Sequence, residues 1–251
     1  MIPVFLIGGG WQAESFPLTY GPFLAAATRA GRRQIAIVVA EEPDVDSHQR
    51  FLQTRGAFES LGLAPDAAVP LIVSADAPLT QSALVHAAPT GIFVCGGLTP
   101  AYYDALCGDQ SWCAYVQSQH LPYAGFSAGA MLAASQAIIG GWQRVVNDRV
   151  IAIADEQASE DLDLLDIRPG LGLVPFAVDV HASQAGTLTR LLHSVDQGTA
   201  DAGWAIDEDT MLSVIDGELR VHGRGNAYRA QRHQGRLAVD IFQAGAVRAE
   251  R

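Results

Sequence analysis

The chain is short of positive charge: 27 Asp and Glu face 16 Lys and Arg, for a formal net charge of -11. Nucleic-acid binders gain affinity by neutralising phosphates with basic side chains, so this balance argues against a nucleic-acid partner. Cysteine is scarce as well. Cys95, Cys107 and Cys113 are an odd number without metal-ligand spacing, which argues against a disulfide framework and a zinc site and fits a reducing compartment. No apolar run approaches the roughly 20 residues needed to cross a bilayer. The apolar opening from Ile2 to Ile7 has no basic flank and no small-residue cleavage site behind a long apolar core, so the expectation is a cytoplasmic protein without membrane contact. Internal repeats and low-complexity linkers are also missing. With 251 residues and 49% hydrophobic content, the chain fits one domain over 1–251 that can bury a full core.

What the sequence does contain is an alternation of apolar, β-branched runs with helix-compatible segments. Strands are predicted at Val4 to Ile7, Gln34 to Ala40, Val69 to Ser74 and Gly91 to Cys95, and helices near 20–30, 47–62, 79–86 and 100–118. The strands lack strict period-two alternation, which predicts a parallel α/β sheet covered by helices on both faces. Phe51, Leu52, Phe58 and Leu61 form an apolar stripe at helical spacing in the second helix. Further strands are expected at Ala177 to Val180 and, in the last fifty residues, at Trp204 to Ile206, Met211 to Ile215, Leu219 to His222 and Leu237 to Phe242.

The most informative segment is Gly125-Phe126-Ser127-Ala128-Gly129, a G-x-S-x-G pattern between an apolar run and an Ala-rich stretch. In strand-turn-helix context this turn holds its serine in a sparsely populated conformation, at roughly 1 to 3 kcal/mol, and lifts the hydroxyl clear of the sheet. Ser127 is therefore the candidate nucleophile. A serine hydroxyl needs an imidazole to take its proton, and the imidazole needs a carboxylate to fix its tautomer. Of the seven histidines, His48, His86, His120 and His193 fall in or beside predicted helices with polar neighbours, as solvated side chains do. His181 instead ends an apolar strand and precedes Ala182-Ser183-Gln184, where a strand delivers a base to a cleft. For the acid, Glu208 is preferred within Trp204-Ala205-Ile206-Asp207-Glu208-Asp209-Thr210; Asp207 and Asp209 are immediate alternatives and Asp148 and Asp179 more distant ones, and spacing does not separate them. Oxyanion donors are expected from the amide of Ala128, directly after the nucleophile, and from Gly97, in the paired glycines that end Ile92-Phe93-Val94-Cys95-Gly96-Gly97.

A rival pattern lies at the start. Gly8-Gly9-Gly10-Trp11-Gln12-Ala13 fits G-x-G-x-x-A after a strand, with Glu41 as a possible ribose acid, which would make a dinucleotide site. Pro17 and Gly21 interrupt the helix that such a site requires, so these glycines read better as a tight loop on the active-site side, and no cofactor is expected.

Four pieces, IFVCGG, GFSAGA, GLGLVPFAVDVH and GWAIDEDT, together resemble the serine peptidase family of dipeptidase E (aspartyl dipeptidase) and cyanophycinase, relatives of the class I glutamine amidotransferase-like fold. The resemblance implies a mostly parallel sheet between helices. It also implies Ser127 as nucleophile, His181 as base, Glu208 as orienting acid, and Gly97 and Ala128 as oxyanion donors, acting on a small peptide or amide. The order Ser, His, acid along the chain differs from that of the α/β-hydrolases, which would need His222 or His233 as base. Two departures weigh against aspartyl specificity. Ala182-Ser183-Gln184-Ala185-Gly186-Thr187 replaces a basic helix start, with only Arg190 retained of the basic groups that would help read an acidic or polar substrate, and Leu98 stands where Asn or Asp often follows the glycines, with Tyr102 and Tyr103 close behind. A homodimer is the expected assembly.

Overall fold

The computed structural model describes residues 1–29, 31–233 and 235–247. The first half alternates strand and helix: β1 (Val4–Ile7), α1 (Phe16–Thr19), α2 (Gly21–Ala26), β2 (Ile35–Ala40), α3 (Ser47–Glu59), β3 (Ala68–Val73), α4 (Gln81–Ala87), β4 (Gly91–Val94), α5 (Thr99–Leu106), α6 (Ser111–Ser118), β5 (Tyr123–Phe126) and α7 (Ala128–Leu132). Strands dominate the second half: β6 (Gln136–Gly140), β7 (Gln143–Val146), β8 (Arg149–Ala152), β9 (Asp166–Pro169), β10 (Ala177–Val180), then α8 (Leu188–Asp196), β11 (Ala202–Ile206), β12 (Thr210–Ile215), β13 (Glu218–Gly223), β14 (Ala227–His233), β15 (Arg236–Phe242) and β16 (Gly245–Ala246).

The central sheet runs β16-β13-β12-β1-β5-β4-β2-β3. Its half from β1 to β3 is parallel, whereas β12 joins β1 antiparallel and β13 and β16 extend that edge. A second sheet runs β10-β11-β14-β15, with β10 and β11 parallel. Every residue of β1, β2, β4 and β5 is buried, as continuous apolar runs require when both faces are covered. β3, at the sheet edge, is buried only at its ends, Ala68 and Val73, and accessible between them. One hydrophobic cluster links both sheets, from Phe5, Phe93 and Leu132 to Val178, Trp204 and Ala230.

Three expectations need correction. The helix expected over 100–118 is two, α5 and α6. Asp109 interrupts it by accepting the Ser111 N–H at 2.9 Å, which starts a new helix rather than continuing the old one. The helix near 20–30 is only the six residues of α2. Finally, the β7–β8 hairpin, the β6–β9 pair and β14 went unforeseen. The hairpin turns at Asn147 and Asp148, whose φ values of 49° and 61° match the type I′ turn that joins twisted strands, and its four-residue strands form a separate two-stranded sheet that leaves Val145, Val150 and Ile151 exposed.

Candidate active site

The carboxyl ends of the parallel strands carry the loops that meet at one place. Gly8 follows β1, Cys95 to Leu98 follow β4, and Ser127 follows β5, which is where open α/β sheets gather ligand chemistry. The second sheet supplies the rest. Val180 lies opposite Ile206 across the parallel β10–β11 pair, so the chain leaves both strands side by side at His181 and Asp207-Glu208. Backbone bonds bring this edge against the end of β1: the His181 N–H donates to Gly8 O at 3.0 Å and the Asp209 N–H to Gly9 O at 2.8 Å. The three glycines are explained by that crossing. A Cβ at Gly8 would overlap the Asp207 carbonyl, one at Gly9 the His181 ring, and one at Gly10 Asp209.

Ser127 sits at φ 51°, ψ -113°, a strained conformation for a residue with a side chain. Close packing behind it depends on the flanking glycines. A Cβ on Gly125 would strike the Gly129 carbonyl, and one on Gly129 would lie 2.5 Å from Val94 O. Ser127 Oγ is 2.9 Å from His181 Nε2, and His181 Nδ1 is 2.8 Å from Glu208 Oε1. With Nδ1 protonated and donating to Glu208, Nε2 is free to accept the serine proton. Ser127 is 9% exposed, and the His181 and Glu208 side chains are 30% and 37% exposed. The relay is thus open to solvent from the imidazole side. The Glu208 N–H is fixed in turn by Gln184 Oε1 at 3.0 Å, a partner the sequence did not single out.

The alternative acids have other partners. Asp207 is buried and accepts from the Ser183 and Asn226 amides at 3.0 and 2.9 Å, which ties the loops around the base. Asp209 accepts the Gln12 N–H at 3.1 Å. Asp148 belongs to the hairpin turn. Asp179, fully buried, meets Arg190 through two bonds, of 2.9 and 2.7 Å. This last pair corrects an expectation: Arg190 is 1% exposed and also donates to the Ala158 carbonyl, so it braces strand β10 beneath His181 and does not read a substrate. His193 is likewise no solvated surface group. Its Nδ1 lies 3.0 Å from Arg144 Nη1, and burial followed by that charge lowers its pKa.

Beside Ser127 is a cavity of about 260 Å³, lined by Trp11, Arg50, Gln53, Thr54, Gly96 and Gly97 among others. Arg50, Gln53 and Thr54 lie on α3 at i, i+3 and i+4, a spacing that would have identified this face had its polar side been read along with its apolar stripe. Cys95 also lines the cavity, with Sγ 3.4 Å from Thr54 Oγ1. Burial pushes its thiol up to about 12, so at neutral pH it is protonated and unreactive. Among the described residues neither the Gly97 nor the Ala128 N–H donates to a protein acceptor. The dinucleotide geometry does not form, because the first helical turn after the glycines is the three-residue Ala13–Ser15 segment and Glu41 is exposed. Among the described residues no group of three or more His, Cys, Asp and Glu side chains is arranged to hold a metal ion.

Comparison with solved structures finds chains of similar fold. The crystal structure of a peptidase from an acI-B1 Actinobacterium superposes with a TM-score of 0.68 over 98% of this chain and 96% of that chain, at 17% sequence identity. The two chains share a fold. At that identity the likeness extends to architecture: an α/β arrangement with a mostly parallel central sheet. No family model matches the sequence, and no curated protein matches it. No helix among the described residues is long and apolar enough to cross a membrane.

Proposed function

We propose that this chain is a serine hydrolase that cleaves the amide bond of a small peptide or isopeptide, in the manner of the dipeptidase E and cyanophycinase peptidases that its motifs resemble. The observation that carries the reading is the unbroken relay from Ser127 Oγ through His181 to Glu208 Oε1, with links of 2.9 and 2.8 Å, built on a serine with φ 51°. The shared fold with a chain called a peptidase supports it further.

In this mechanism Ser127 Oγ attacks the carbonyl carbon as its proton passes to His181 Nε2. Glu208 stabilises the imidazolium through Nδ1–H. The carbonyl oxygen takes up the negative charge and is met by the free amides of Gly97 and Ala128. As the intermediate collapses, the C–N bond breaks and His181 returns the proton to the leaving amine, which leaves an acyl ester on Ser127. Water then attacks the ester, giving a proton to His181, which passes it to Ser127 Oγ as the ester bond breaks and the acid is released. The small cavity beside Ser127 suits a short peptide rather than a folded chain.

A fluorophosphonate probe and a panel of dipeptides and isoaspartyl peptides test the reading. Labelling and turnover that vanish in Ser127→Ala are expected. A parent protein that neither labels nor turns over any amide, or labelling that survives the substitution, contradicts it.

A further inference from the structure

Two carboxylates from distant segments grip the loop that follows β4. Glu42 Oε2 accepts the Leu98 N–H at 3.0 Å, and Glu160 Oε2 accepts the next amide, Thr99 N–H, at 2.8 Å. Glu42 comes from the loop after β2, and Glu160 from the segment between β8 and β9. Neither is a free surface acid. Glu42 Oε1 pairs with Arg50 Nη1 on α3, and its side chain is 8% exposed. Glu160 is half-buried, and desolvation raises its pKa, while the Thr99 bonds and the nearby Arg190 charge favour its ionised form.

Gly97 stands between Ser127 and this grip. A Cβ there would overlap both Glu42 Oε1 and Arg50 Nη1, so the ion pair closes directly over its α-carbon, and glycine is needed for that approach. One residue earlier, the Gly96 carbonyl accepts from Tyr102 Oη at 3.0 Å. The backbone is therefore held at Gly96 O, Leu98 N and Thr99 N, and the Gly97 N–H lies between those points without a protein acceptor among the described residues. A donor that serves a developing oxyanion has to be aimed before the charge appears. A lone carboxylate next to it would oppose that charge, and Arg50 supplies the compensation for Glu42.

We propose that Glu42 and Glu160 are positioning residues for the Gly97 amide, with Arg50 balancing the charge that Glu42 brings to the oxyanion position. The inference rests on Ser127 being the nucleophile. It identifies the part of the site that tunes the transition state rather than the part that performs the chemistry.

The test measures the second-order rate of Ser127 labelling by a fluorophosphonate, together with kcat and KM on a cleaved dipeptide, in Glu42→Gln, Arg50→Gln, the double variant, Glu160→Gln and Glu160→Ala. Circular dichroism confirms that each is folded. Glu42→Gln and Glu160→Gln keep an acceptor and lose less than about 10-fold in rate, while Arg50→Gln and Glu160→Ala lose about 10- to 100-fold in kcat with KM within about 3-fold. The double variant recovers to within about 3-fold of Glu42→Gln, because the uncompensated charge is gone. Folded Arg50→Gln and Glu160→Ala proteins that label as fast as the parent overturn the proposal, as does a double variant whose losses simply add. A parent without Ser127-dependent labelling overturns the nucleophile assignment and this inference with it. A parent that labels beside insensitive variants overturns the positioning role alone.

Discussion

Two serine–histidine pairs in this molecule have the same reach. Ser127 Oγ lies 2.9 Å from His181 Nε2, and Ser213 Oγ lies 2.9 Å from His222 Nε2. The second pair even lines the roomier hollow, of about 1090 Å³ against about 260 Å³ beside Ser127. Distance and volume alone would therefore favour Ser213 over the proposed nucleophile. Ser213 belongs to the regular strand β12 and adds a long 3.4 Å contact to the Arg220 carbonyl, whereas Ser127 occupies a strained turn at φ 51°. His181 is backed by Glu208; His222 meets no carboxylate among the described residues, and burial followed by the Arg220 charge lowers its pKa. The proposal of Ser127 over Ser213 therefore rests on backbone strain, on a third partner behind the imidazole and on neighbouring free amides, each of which would raise a nucleophile's competence.

The contrast can be broken most sharply at the nucleophiles. Ser127→Ala is expected to lower kcat by about 10⁴-fold or more, and His181→Ala by a similar amount with little further loss in the double variant, because such residues act as a unit. Ser213→Ala should leave kcat within about 2-fold. Steady-state kinetics on one dipeptide substrate compares all four proteins, and equal losses at 127 and 213 would erase the distinction.

The third partner comes next. Glu208→Gln should cost about 10³-fold or more in kcat while KM stays near the parent value, since the amide no longer favours the required tautomer. His222→Gln should cost almost nothing in the same assay.

A stability test sharpens the comparison from underneath. The Asp179–Arg190 pair braces β10, which ends one residue before His181, while β13, which carries His222, makes no ion pair among the described residues. Arg190→Met leaves a buried carboxylate without its partner and should lower the unfolding free energy by about 3 to 5 kcal/mol, read from urea denaturation. A smaller loss than about 1 kcal/mol would mean that the brace is dispensable.

The smallest effect concerns pH. Because the folded protein lowers the His222 pKa below its ordinary 6.5, the neutral imidazole stabilises the fold fully above that value, and the contribution is lost as pH falls through the lowered pKa. The melting temperature of the parent should therefore drop more steeply between pH 7 and pH 5 than that of His222→Gln. Parallel curves would exclude this histidine as a source of the acid loss.

Much of this arrangement was legible in the residues themselves. The parallel strands announce themselves because β1, β2, β4 and β5 are buried on every residue, and no polar alternation obscures them. The G-x-S-x-G turn was readable because its two glycines answer a steric demand that the structure bears out at Gly125 and Gly129. Choosing among Asp207, Glu208 and Asp209 was beyond spacing, since the three are adjacent and only the turn directs one of them at the imidazole. Arg190 is hard to place for a related reason: its partner, Asp179, lies on a strand one connection earlier, and spacing alone does not pair them. The α3 face that lines the cavity was hidden in the same way, because Arg50, Gln53 and Thr54 pass for the wet side of a surface helix. Long-range pairing is the common element in what the sequence concealed.

Gly9 carries a last consequence. Nucleophile and base arrive on different sheets, and the only thing between the β1 loop and the imidazole is a hydrogen where any other residue would place carbon. Alanine at that position would work as a wedge, prising His181 off Ser127 while every group that handles a proton stayed chemically intact. The enzyme proposed here could thus be silenced by one methyl group that takes no part in the reaction.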